Sequence, residues 1–260
     1  MLTKLRRKLK QSLGQKIIFQ PDIYRLDLDQ RKFETNAIYS AYGQKIFDLD
    51  FSSLSILFQT DKAPFTHNIA PSFTKKRMIR SITQTHNYAK YYDDIFKKKR
   101  HNIKNICEIG IMAGASTAAF YFFFPKSKIY TLDINYQRCN IFSKRINKNI
   151  VDQSSEASII KFKKKIKNTQ FDLLVDDGSH IDEHIMLTFR NLISKIKKSG
   201  YYIIEDVSKE LTPNTLKFLK DKSNLKKYNI KKMMIYKSEE GADLIKRDGT
   251  SQNYIIFLQK

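Results

Sequence analysis

The chain has no tryptophan, and only two cysteines, five prolines and eight glycines in 260 residues. Cys107 and Cys139 cannot build a disulfide framework or a four-thiolate zinc site, and such sparing use of cysteine suits a reducing cytoplasm. Long apolar runs are missing too. The longest oily stretch, Ala118 to Pro125 (AAFYFFFP), falls far short of the ~20 residues of a membrane span. The basic start of the chain is not followed by the apolar region of a secretory signal. Acidic residues are scarce beside basic ones, 26 against 48, which leaves a net charge of +22. Wholesale disorder is excluded, because 41% of the residues are hydrophobic and 12% aromatic, enough to bury a core at this length.

A charge of this size attracts phosphates, nucleic acid and anionic membrane. The lysines are scattered through KKKR at 97–100, KFKKK at 161–165, KKSG at 197–200 and KKYNIKK at 226–232. A dedicated nucleic-acid surface more often clusters them beside exposed aromatics, so the pattern argues against one. The joint richness in Lys, Ile, Asn and Phe is what an AT-rich genome dictates. Genome bias and a functional anion-binding surface therefore both account for the charge. Leu2, Leu5, Leu9 and Leu13 fall at helical spacing with Lys and Arg between them. Residues 1–19 then read either as a docking terminal helix or as a peripheral contact with an anionic membrane at its cytoplasmic face.

The organisation changes near residue 100. Residues 1–100 are irregular, hold Pro21, Pro64 and Pro71, and read as an N-terminal segment with a cap or lid lobe. Their last part, with Tyr88, Tyr91, Tyr92 and Phe96, is an aromatic-rich helical stretch. Residues 101–260 alternate strands and helices. Strands are predicted over 103–109, 128–134, 149–152, 171–177 and 200–206, with a closing pair over 228–236 and 253–259. Helices are predicted over 114–124, 136–148, 156–167 and 211–220. Another helix carries Ile185, Phe189, Leu192, Ile193 and Ile196 on one face. This alternation predicts an α/β fold with a mostly parallel sheet of seven strands, a closing antiparallel hairpin and an N-terminal helical lobe. Ligands in such sheets bind at the carboxyl ends of the strands.

The residues at those ends are chemically loaded. The first strand runs into Glu108-Ile109-Gly110, then Gly114 and Ser116, an E-x-G-x-x-x-G-x-S turn that lets a ligand approach the backbone at a helix N-terminus. The second ends in Asp133, where an acid can accept both hydrogen bonds of a ribose diol. Together they favour a nucleoside-containing cofactor over a packing turn. The strand over 171–177 leads to Asp176-Asp177-Gly178-Ser179-His180, and the next ends in Glu205-Asp206. If these strands are neighbours, four carboxylates and an imidazole meet on one rim. Acids so close raise each other's pKa, and a Mg²⁺ or Mn²⁺ ion relieves the repulsion. One or two of them could instead cap helices, and Asp182 reads as a plain cap. His180 to His184 also fits the inverted zinc-protease pattern H-x-x-E-H. That pattern needs both histidines on one helix face, whereas His180 falls before its helix starts, so His184 reads as a surface or helix-packing residue.

Glu108 to Ser116, Asp133, VDQSS at 151–155, DDGSH at 176–180 and IEDV at 204–207 resemble class I S-adenosylmethionine methyltransferases, which have a Rossmann-like sheet. Within them, the pattern is most similar to the metal-dependent sugar O-methyltransferases, a group with macrolide-sugar, rhamnosyl and cephalosporin-hydroxylase-like members. Thr60-Asp61-Lys62 and His86-x-Tyr88 match its approach segment, and the resemblance covers roughly residues 57–207. It implies that Glu108, Gly110, Gly114 and Ser116 cradle the methionine and ribose of S-adenosyl-L-methionine and that Asp133 holds the ribose hydroxyls. Asp152 and Gln153 would lie near the adenine, Asp176 would belong to the cofactor site, and Thr60 would touch the cofactor from the lid. Asp177, Glu205 and Asp206 would bind the metal, and His180 would be the base. The chain departs from the pattern at Val151, at Ser199-Gly200, and after Asp206, where the aromatic-rich segment of several relatives is missing.

Methyl transfer from a sulfonium is an in-line displacement whose leaving group is already good. The enzyme must align the nucleophile and manage its proton. The expected reaction is therefore S-adenosylmethionine-dependent, divalent-metal-assisted O-methylation of a sugar or small-molecule hydroxyl in a cytoplasmic enzyme, with bacterial surface polysaccharide as one destination. A homo-oligomer is compatible with the chain. The alternatives are methylation of a phosphate- or phosphoramidate-type oxygen and a nucleic-acid methyltransferase. The latter would more usually show a Lys-Asp-Lys-Glu set. A scaffold that kept only the fold would have lost the glycine motif or the acids.

Overall fold

The structure, a computed structural model, describes residues 26–29, 37–64, 86–139, 141–238 and 253–260. The basic amphipathic start, Pro21, Pro71 and the glycine- and aspartate-containing loop before the last strand lie outside the described residues. Among the described residues no helix is long and apolar enough to cross a membrane.

A seven-stranded sheet forms the centre. Its strands are β2 (Asn105–Ile109), β3 (Lys128–Asp133), β5 (Ile146–Ile150), β6 (Phe171–Asp176), β7 (Ile196–Val207), β8 (Lys232–Lys237) and β9 (Tyr254–Gln259), in the order β5-β3-β2-β6-β7-β9-β8. Pairing is parallel from β5 to β7, and β9 runs antiparallel to both β7 and β8. This is the Rossmann-like architecture expected, with its closing antiparallel hairpin. A separate two-stranded pair joins β1 (Leu26–Asp27) to β4 (Ile141–Phe142).

Helices cover both faces, which is why the inner strands read as nearly continuous apolar runs. On one face lie α2 (Phe51–Phe58), α3 (Ala89–Phe96) and α4 (Ala115–Phe123), preceded in the chain by α1 (Ala37–Tyr42). The oily stretch of the sequence is α4, buried all round because the sheet covers one side and α2 and α3 the other. Phe51 stacks on Phe120 at 4.8 Å between ring centroids, and Phe58 stacks on Phe122 at 5.6 Å. The opposite face carries α5 (Glu156–Lys165), α6 (Asp182–Leu192), α7 (Pro213–Lys220) and α8 (Lys222–Lys227). Ile159, Phe162, Ile185, Phe189 and Leu219 form its core.

The helix predicted over 136–148 does not form. That stretch holds a turn, β4 and the start of β5. Tyr136 folds back so that its hydroxyl donates to the Thr131 carbonyl at 2.7 Å and accepts from the Asn149 amide at 2.9 Å. Ile141 and Phe142 pair with β1. Contacts from outside the segment thus override its helical spacing. For the same reason the edge strand predicted over 149–152 lies earlier, at Ile146–Ile150. Gly114 precedes its helix at φ +89° rather than opening it, and KKKR belongs to a 3₁₀ turn, Lys97–Asn102.

Candidate active site

The first strand-end turn sits where it was expected. Gly110 has φ +77°, and a Cβ there would stand 2.0 Å from the Asp177 carbonyl oxygen, so only glycine lets the two loops touch. Glu108 lies fully buried below the turn. Its carboxylate accepts from the Ser116 hydroxyl and, at 2.5 Å, from that of Thr117. Burial pushes its pKa up to about 7 against the pull of these hydroxyls and of Lys62. Asp133 braces the turn: Oδ2 accepts from the Ile111 and Met112 amides at 2.9 and 3.2 Å, and Oδ1 accepts from Asn135. Asp152 is partly exposed and closes an Asx turn on Ser154. Gln153 links two loops, donating to Asp176 at 2.7 Å and accepting from the Ser179 amide at 2.9 Å.

β6 and β7 are neighbours, and the acids at their ends divide by face. Successive strand residues point to opposite sides. Asp176 accordingly turns away, into Gln153 and the Tyr202 hydroxyl, with its pKa raised by burial to about 6. The four-carboxylate rim expected from strand ends alone therefore loses Asp176. Glu205 and Asp206, although consecutive, both face the rim. The register of β7 slips between Ile204 and Val207, and Asp206 adopts φ +53°, a bulge that re-aims its side chain. His180 is left-handed as well, at φ +56°, and precedes α6, as the sequence indicated. Asp182 does cap a helix, but a different one: it accepts from the Asn214 and Thr215 amides at the start of α7. His184 lies on α6 and meets the Ser179 hydroxyl, away from a two-histidine zinc site.

The segment after α2, the segment before α3 and α3 itself complete the rim, which strand-end reasoning alone missed. Lys62 is fully buried, its Nζ 2.5 Å from Asp177 Oδ2 and 2.6 Å from Glu205 Oε2. Tyr92 donates to Glu205 Oε1 at 2.5 Å and Tyr88 to Asp206 Oδ1 at 2.9 Å, and His86 Nε2 lies 3.6 Å from the same Asp206 oxygen. Burial, then the nearby acids, hold both tyrosines far above the ordinary phenol range, so they remain neutral donors. Burial alone would depress Lys62, but Asp177, Glu205 and Asp61 outweigh it and keep the ammonium charged. Burial also pushes Asp177 and Glu205 upward against the pull of Lys62. Thr60, itself buried, accepts from the Lys62 amide at 3.1 Å and so shapes this segment. The signal was in the sequence, since Thr60-Asp61-Lys62 and His86-x-Tyr88 are the residues that converge here.

With these partners assigned, the carboxylate oxygens left facing each other are Asp177 Oδ1 and Asp206 Oδ2. His180 Nε2 stands 3.9 Å from each. Asp177, His180 and Asp206 offer ligand atoms within 4.8 Å of one another, the one metal-competent group among the described residues. The two facing carboxylate oxygens suit a hard divalent cation such as Mg²⁺ or Mn²⁺, with the imidazole beside them.

No protein-family model matches the chain. Among curated proteins, it is 30% identical to the demethylmacrocin O-methyltransferase of Streptomyces fradiae over 129 residues, 47% of this chain and 32% of that protein. It is 28% identical to the mycinamicin VI 2''-O-methyltransferase of Micromonospora griseorubida over 180 residues, 66% of this chain and 39% of that protein. It is 27% identical over 135 residues, 49% of this chain and 35% of that protein, to the 8-demethyl-8-alpha-L-rhamnosyl tetracenomycin-C 2'-O-methyltransferase of Streptomyces olivaceus. The matches thus span only 32% to 39% of these relatives' lengths. Among solved structures, the MycE methyltransferase of the mycinamycin biosynthetic pathway, in complex with Mg and SAH, superposes with a TM-score of 0.59 at 21% identity, over 82% of this chain and 54% of that one. What that superposition shares is the fold. The chain is therefore similar in sequence to part of several O-methyltransferases and shares a Rossmann-like fold with a methyltransferase, as its DDGSH and IED motifs implied.

Proposed function

We propose that the protein is an S-adenosylmethionine-dependent O-methyltransferase, assisted by Mg²⁺ or Mn²⁺, that acts on a sugar hydroxyl of a glycosylated small molecule or a surface polysaccharide. The observation that carries this reading is the convergence of Asp177, His180 and Asp206 at the ends of β6 and β7, beside the glycine turn that ends β2. The curated relatives, O-methyltransferases by their names, one of them acting on a rhamnosyl tetracenomycin, support it.

The residues present fit both groups. The turn from Gly110 to Ser116 and the carboxylate of Asp133 would hold the cofactor, with Asp152 and Gln153 beside its adenine. Asp177 and Asp206 would hold the cation through their two facing oxygens, with Glu205 directly behind them. A divalent cation supplies a lowered pKa to an alcohol that binds it. The protein's own part is orientation and proton transfer. Tyr88 and His86 fix the Asp206 carboxylate, Lys62 fixes that of Asp177, and the geometry between them sets where a hydroxyl docks. His180 Nε2, which faces both acids, accepts the proton. Left-handed φ at His180 and Asp206 costs on the order of 1 kcal/mol each, a strain consistent with side chains aimed for use.

Calorimetry with S-adenosylmethionine and its homocysteine product tests the cofactor half of the reading. A screen of nucleotide sugars and glycosides for methyl transfer, with Mn²⁺ or with EDTA, tests the other. Binding of NAD or ATP in place of the sulfonium, or full activity in EDTA, would overturn it.

A further inference from the structure

We propose that Lys62 is a built-in counter-cation that shares the carboxylate rim with the divalent cation, keeping the rim assembled without metal and the metal weakly held and exchangeable. The inference rests on the metal reading above, but it concerns a residue which that reading uses only as a prop for Asp177.

Four acids approach this point: Asp61, Asp177, Glu205 and Asp206. Unpaired carboxylates buried together are strongly destabilising. Lys62 meets that cost from inside. Its ammonium lies 2.5 Å from Asp177, 2.6 Å from Glu205 and 3.7 Å from Asp61. It cannot drift, because the backbone is pinned on both sides. The Lys62 amide donates to Thr60 Oγ1 at 3.1 Å, and its carbonyl accepts from the Ala89 amide at 2.8 Å, at the start of α3.

The consequence for a metal is twofold. Both oxygens of Glu205 are engaged, one by Lys62 and one by Tyr92, so this acid is withheld from a cation lying between Asp177 and Asp206. A fixed positive charge also touches Asp177, one of the two acids that face such a cation, and like charge lowers affinity. An ammonium in permanent residence makes the metal an exchangeable visitor rather than a structural component.

The test uses the full chain and Mn²⁺ alone, with free Mn²⁺ counted by electron paramagnetic resonance. Lys62→Gln removes the charge and leaves an amide donor one bond shorter, and it should bind Mn²⁺ about tenfold more tightly than wild type, whereas Lys62→Arg should stay within about twofold. Thermal unfolding supplies the second readout. Wild type should lose no more than about 2 °C in EDTA, while Lys62→Gln should melt well below wild type in EDTA and recover with Mn²⁺. Equal or weaker Mn²⁺ binding by Lys62→Gln overturns the role of Lys62 and leaves the metal reading standing. Absence of Mn²⁺ binding by wild type and variant alike overturns both. If Lys62→Gln does not fold, the wild-type arm decides: a loss of more than about 10 °C in EDTA refutes an internal counter-cation, and a near-unchanged melting point supports it.

Discussion

Replacing Glu108 by glutamine should flatten part of the protein's pH-stability profile. Glu108 is wholly buried beneath the glycine turn, and its pKa rises from an ordinary 4.5 to about 7. The native state therefore holds a proton that the unfolded chain has already released between those values. By linkage, stability is greatest below about 4.5, falls as pH rises through the window, and levels off above about 7. The gap converts to roughly 3 kcal/mol at about 1.4 kcal/mol per pH unit. Glutamine fills the same volume and has no charge to desolvate. Its amide must re-pair with the Ser116 and Thr117 hydroxyls, which costs about 1 kcal/mol at every pH. Urea unfolding from pH 4.5 to 8 at fixed ionic strength reads the difference. Glu108→Gln should be the weaker protein at pH 4.5 and equal or stronger at pH 8, and other titrating groups cancel in the comparison. A difference that stays constant across the range would refute the buried, proton-holding carboxylate.

His180→Ala should lose at least about 10² in kcat while still binding cofactor and Mn²⁺; a stability loss with near-normal kcat would make His180 a structural residue instead. Asp206→Asn should abolish metal stimulation of methyl transfer, and full activity in this variant would refute the metal reading. Tyr92→Phe keeps the ring packed among Phe51, Phe120 and Phe257 but strips Glu205 of a donor. It should cost about 1.5–3 kcal/mol in urea unfolding at pH 9.5, and less at pH 6, where Glu205, its pKa pushed by burial to about 8, is protonated and no longer needs that donor. Deleting residues 1–19 should reduce binding to anionic liposomes; unchanged binding leaves this segment as a docking helix only.

Much of the protein was legible from local pattern. Alternation of apolar strands with helices determined a parallel α/β sheet, because a strand buried on both faces must be apolar throughout. The glycine turn after Glu108, Asp133 and the acids of DDGSH and IED could be assigned to strand ends, since such ends are where chain direction and chemistry coincide. Three things belonged to the tertiary structure. Residues 136–148 have helical spacing but became a turn and strands, because Tyr136 and β1 offered partners that only the folded chain brings near. The division of the acids depended on pleat and bulge: Asp176 turned away while Glu205 and Asp206, adjacent in sequence, came to share a face. Finally, the rim is closed by Lys62, Tyr88 and Tyr92, far from those acids in sequence. Sequence spacing carries no distance across such separations, so only packing of α3 and its preceding segment against the sheet could place a buried ammonium between Asp177 and Glu205.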